Sequence, residues 1–196
     1  DSKPGQLILF QHGVNADRET FEYMVRKLSE DSNFINAGVI SAKNGGLNID
    51  ISKELIEQYD PNNNLTQKEL VARLIGLGKK VMFRTEFSNP TGGHMEQIEE
   101  LDSFIDAVSS DDDKVTLVGH SKGGLVSVGY IALNPDKVNK IITIDTPYAK
   151  SIVAEAAVNM IDDAYAKYQE AKLKYENSNI FTRQENRKEM NNASIA

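Results

Sequence analysis

Cysteine is absent from this chain of 196 residues, which excludes disulfides, thiolate metal sites and a cysteine nucleophile. Histidine is scarce: His12, His94 and His120 are the three it has. No apolar run approaches the roughly 20 residues that a bilayer-spanning helix requires. Positive charge is in deficit, with 22 Lys and Arg against 29 Asp and Glu and a formal net charge of -7. Such a chain has no electrostatic reason to seek nucleic acid or an anionic membrane surface, and mildly favours neutral or cationic partners. A lack of cysteine suits a bacterial cytosolic protein and an exported one equally, so the compartment stays open. The chain opens at Asp1 rather than methionine, as expected where a leader or upstream segment has been removed.

What is present reads as an ordinary globular domain, 40% hydrophobic and 26% charged, long enough for one substantial core. Strand and helix patterns alternate, which predicts an α/β protein: a mostly parallel sheet flanked by helices. The run Gln6 to Gln11 (QLILFQ) is apolar throughout, as in a strand buried on both faces. After His12-Gly13-Val14-Asn15, residues 18–30 carry Phe21, Met24, Val25 and Leu28 at helical spacing, with Asp17 as N-cap. Residues 37–42 and 47–51 flank Lys43-Asn44-Gly45-Gly46 and read as a small extra hairpin outside the main sheet. A loop at 60–64 precedes a helix from Thr66-Gln67-Lys68-Glu69 to about Leu77. Then come a strand over 80–87, a helix over 94–108, a polar turn over 109–113 and a strand over 114–119. A helix over 123–133 and a strand over 138–144 complete the core. Residues 151–176 read as a long helix, so 1–150 is taken as the core domain and 151–196 as a helical cap-like segment and polar tail. Asp162 and Asp163 within it read as solvated. The stretch 164–175 reads as a solvated amphipathic helix, with a membrane-seeking lid as the alternative.

The chemistry centres on Gly119-His120-Ser121-Lys122-Gly123. This fits G-x-S-x-G in the context the motif needs, a buried strand before and a helix after. A sharp strand-to-helix turn holds the serine strained, with its Oγ above the sheet edge and a helix N-terminus facing the developing oxyanion. Small residues on both sides of the serine let neighbouring backbone pass closely. A tetrahedral intermediate needs two backbone N–H donors: one from the residue after the nucleophile, Lys122, and one from the loop after an earlier strand, Val14. The plainer reading of Ser121 is a Ser/Gly-rich turn of a parallel sheet.

Together QHGVNADRETF, GHSKGGL and IITIDTPY resemble the lipase and esterase branch of the α/β-hydrolase superfamily. The similarity runs over residues 6–148 and is closest to bacterial lipases and to uncharacterised Gram-positive α/β-hydrolases. It implies the α/β-hydrolase fold, with Ser121 as nucleophile, the Val14 and Lys122 amides as oxyanion donors, and Thr146-Pro147 shaping the pocket floor. It further implies cleavage of a small-molecule carboxylic ester or lipid through an acyl-enzyme, with no metal or organic cofactor.

The chain departs from the family in one respect. The triad order is Ser, then Asp or Glu, then His, yet all three histidines precede Ser121. Three explanations stand: further strands carrying the acid and base belong to the native protein, activity has been lost, or the base is unorthodox. In the last case His94 is the candidate base, at the C-terminal edge of a sheet strand, against the plainer reading of a helix-start residue on the pocket rim. Asp145 is the candidate acid, against a turn or cap role. His12 reads as part of the oxyanion-loop turn, and His120 as packing beneath the nucleophile. The Lys122 side chain is expected to point away, leaving only its N–H a role. Tyr148 and the apolar face of Ile152, Val153, Ala156, Met160 and Ile161 read as core packing or as an acyl pocket. A catalytically silent hydrolase-like domain that binds a lipid or protein partner is the rival to the enzyme. Substrate and oligomeric state are not legible.

Overall fold

The computed structural model describes residues 5–14, 16–43, 46–110, 113–148 and 170. The expected helix over 151–176 and the division at residue 150 fall almost wholly outside them.

Among the described residues six strands form one sheet: β1 (Gln6–Gln11), β2 (Phe34–Lys43), β3 (Gly46–Ile51), β4 (Lys80–Glu86), β5 (Val115–His120) and β6 (Val138–Ile144). Their spatial order is β3-β2-β4-β1-β5-β6. Only β3 runs antiparallel to its neighbour. The helices are α1 (Glu22–Leu28), α2 (Lys53–Tyr59), α3 (Gln67–Gly76), α4 (His94–Val108) and α5 (Lys122–Leu133). A single 3-10 turn, Arg18–Phe21, leads into α1, and the Asp17 side chain accepts the Glu19 N–H at its start. The helix expected over 18–30 is therefore broken in two.

The continuous apolar run of β1 is explained by burial on both faces of the sheet. Leu7 and Leu9 join Leu74, Leu101, Phe104, Val126 and Tyr130 in the larger core cluster. Ile8 and Phe10 point the other way, against Phe21, Val25, Met82 and Val118. The capping box read at Thr66 and Glu69 is formed, each side chain accepting from the other residue's backbone N–H.

Two features differ from the sequence expectation. The hairpin is not outside the main sheet: β2 pairs in parallel with β4 along most of its length, and β3 forms the sheet edge. Its strands are longer than the apolar runs suggest, and a bulge between Asn36 and Gly38 keeps both halves of β2 in register with β4. Gly38 has φ 131, and a side chain there would strike the Asp50 carbonyl, so the bulge requires glycine. The second difference is α2, a seven-residue helix absent from the sequence expectation; Ser52 caps it by accepting the Leu55 N–H.

Phe104 has no exposure and stacks on Phe87 at a centroid distance of 5.8 Å. Phe104→Ala is expected to cost about 3–5 kcal/mol, read as a lower denaturation midpoint in urea with an unchanged slope.

Candidate active site

Of the residues singled out by the sequence, His12, Val14, His94, His120, Ser121, Lys122 and Asp145 lie at or near the C-terminal edge of the sheet; Ile152, Val153, Ala156, Met160, Ile161, Asp162 and Asp163 lie outside the described residues. Ser121 joins β5 to α5 with φ 52 and ψ -122, a conformation that costs a non-glycine residue on the order of 1–3 kcal/mol and persists only when its surroundings enforce it. They do so from both sides. The Ser121 N–H donates to the Ile144 carbonyl at the end of β6 (2.9 Å), and its own carbonyl accepts from the Gly124 N–H (3.0 Å).

The close approaches explain the glycines. A side chain on Gly123 would collide with the carbonyls of Gln11 and His12, so α5 begins directly against the end of β1. A Cβ on Gly13 would lie 2.9 Å from the Ser121 Cβ and 3.3 Å from His120 Nδ1. The loop that starts at His12 therefore passes beside the serine. Its turn is braced by His12, whose Nδ1–H donates to the Gly13 carbonyl at 2.9 Å. Among the described residues, neither the Val14 nor the Lys122 amide is used in a hydrogen bond.

A cavity of about 320 Å³ opens over Ser121, lined by Val14, Thr91, Gly92, His94, Lys122, Leu125 and Pro147. Val14, Lys122 and His94 thus share one cavity with Ser121. Pro147 reaches the same wall, and a Cβ on Gly124 would meet the Thr146 side chain, so the Thr146-Pro147 turn packs against the start of α5. Tyr148 is exposed and lies outside the lining.

The Lys122 side chain requires a correction. It does not point away: it is buried, lines the cavity, and its ammonium donates to the Gly92 carbonyl. Burial lowers its pKa from the ordinary lysine value, and the charge of Glu96 offsets this in part.

His94 opens α4 at 9% exposure, with Nε2 buried and, among the described residues, without a hydrogen-bond partner. Burial, and then the charge of Lys122, hold its pKa below 6.5. Both effects favour the neutral imidazole. Asp145 directly follows β6, exposed and with φ 50, outside the cavity lining that includes His94. Among the described residues no hydrogen bond joins Ser121, His94 and Asp145 into a relay. His12 Nε2 and His120 Nδ1 are also buried without hydrogen-bond partners among the described residues. Thr91, Gly92, Leu125 and the Lys122 side chain went unrecognised from sequence; for the first two, the signal available was the Pro-Thr-Gly-Gly turn directly after β4.

A mostly parallel sheet with helices on both faces and a serine elbow at its C-terminal edge places the chain in the α/β-hydrolase superfamily. Within it, the chain belongs to the family of the PGAP1-like alpha/beta domain, which matches residues 80–195, more than half of its length. Among solved structures it is similar to the lin2722 gene product of Listeria innocua, at 15% identity and a TM-score of 0.47, covering 76% of this chain and 53% of that one. It is also similar to a Lactobacillus plantarum WCFS1 protein described as a cell surface hydrolase, at 14% identity and a TM-score of 0.48, covering 78% and 61%. The chain thus spans less than two thirds of either protein. No curated protein matches it in sequence.

The electrostatics of the cavity are open to direct measurement. The His94 imidazole should titrate below 6.5 in nitrogen-detected NMR, and Lys122→Met should raise its midpoint by removing the neighbouring positive charge. The unfolded chain takes up this proton first as pH falls, so His94 contributes stability above about pH 6.5 that is lost on acidification through its folded midpoint.

Proposed function

We propose that this chain carries the nucleophile and oxyanion donors of a serine hydrolase of the lipase and esterase type. Ser121 Oγ attacks an ester carbonyl, the Val14 and Lys122 N–H groups receive the developing oxyanion, and the alcohol leaves from an acyl-enzyme that water then hydrolyses. The observation that carries this reading is the strained Ser121 elbow lying against Gly13 of the loop after β1. Val14 and Lys122, whose amides are unspent among the described residues, line one cavity with the partly exposed Ser121, which supports the reading. The chemistry calls on no metal or organic cofactor.

The family's fold also serves thioesters and amides. The cavity wall of Val14, Leu125 and Pro147 supports an acyl or alkyl group of modest size. The hydroxyl proton goes to an imidazole in this mechanism, and among the described residues His94 is the one histidine that lines the cavity.

Incubation with a fluorophosphonate probe tests the reading. A single adduct on the Ser121 peptide is expected, and its complete loss in Ser121→Ala; an adduct elsewhere, or one that survives the substitution, overturns the assignment. His94→Gln locates the base. A fall in labelling rate of about 100-fold or more assigns proton transfer to His94, whereas a rate within about threefold of the parent assigns it to a histidine outside this cavity wall.

A further inference from the structure

The lysine after the nucleophile is an unusual occupant of an ester cavity. Lys122 is 6% exposed and shares the cavity wall with Ser121. Of its three ammonium protons, one is given to the Gly92 carbonyl. Among the described residues no carboxylate lies within ion-pair distance of it. The Glu96 carboxylate rests against Gly92, where an added Cβ would strike it. From there it acts on Lys122, but burial outweighs its effect. A buried cation with spare donors and no carboxylate in contact is costly unless an anion completes its coordination.

The surroundings favour an anion at this point of the cavity. The ammonium belongs to the first residue of α5, a helix of 12 residues whose N-terminal N–H groups add positive potential on the same side. On the same cavity wall the buried His94 Nε2 has no hydrogen-bond partner among the described residues. A triacylglycerol-like ester, neutral throughout, would leave the lysine and the imidazole unmatched. An ester with a charged oxygen group would satisfy both while Val14, Leu125 and Pro147 cover its apolar part.

We propose that the Ser121 cavity selects esters bearing an anionic oxygen group, a carboxylate or a phosphate, and that Lys122 Nζ is the group that holds it. The ester in this statement rests on the serine-hydrolase reading; the anion site does not. Lys122 therefore has two separate tasks, its backbone N–H facing the reacting carbonyl and its side chain facing the substituent.

The test uses the whole 196-residue chain and needs no turnover. Butyrate and inorganic phosphate are titrated separately at constant ionic strength against chloride, with the His94 imidazole signal, assigned through His94→Gln, as reporter. A saturable shift with butyrate assigns a carboxylate, and one with phosphate assigns a phosphate. Lys122→Met should weaken the binding roughly tenfold or more, while Lys122→Arg keeps it within a few fold. Circular dichroism confirms that each variant is folded. Ser121→Ala should bind the same anion as tightly as the parent, so a failed fluorophosphonate experiment and a failed anion site are told apart. Shifts no larger than those with chloride, or equal shifts in parent and Lys122→Met, overturn the proposal.

Discussion

One constraint organises this end of the molecule: the Ser121 backbone is held at φ 52 between two strands and a helix. A residue left to itself would relax out of that conformation. It persists because its N–H is committed to Ile144 at the end of β6, and because α5 starts in van der Waals contact with the last carbonyls of β1. The sheet order β1-β5-β6 brings those two anchors to either side of the turn. The serine is thus a product of the sheet, and its position cannot change unless three strands move together.

The same constraint explains why much of the site was legible in advance. The turn glycines, the apolar β5 before them and the apolar α5 after them are consecutive in the chain, and their meaning is local. The His12-Gly13 turn was readable for the same reason. The contact between the two turns is long-range, but the parallel pairing of β1 with β5 makes it unavoidable. The hairpin was misread because its Asn-Gly turn signals only that two strands meet. Whether such a pair also joins a sheet depends on a partner, β4, some forty residues further along. The orientation of the Lys122 side chain was misread on similar grounds. Helix geometry near a first turn leaves several directions open, and the acceptor that settles the choice, Gly92, comes from a loop 30 residues earlier.

The acid and base stand differently. Place at the end of a strand named His94 and Asp145, and their surroundings differ: one is buried in the cavity wall, the other exposed just after β6. What links the cavity residues is charge and desolvation rather than a relay. A buried ammonium beside an imidazole suppresses protonation of that imidazole, and both sit within reach of whatever occupies the space over Ser121.

The incorporation of the hairpin has a mechanical consequence for that space. With β2 on one side and β1 on the other, β4 is an interior strand, so the stretch that leaves it toward α4 hangs from a support clamped along both margins. Gly92 and His94 belong to that stretch. A wall built this way is preorganised: it admits ligands by the match of their outline and polarity, and gains little from closing around those that fit poorly.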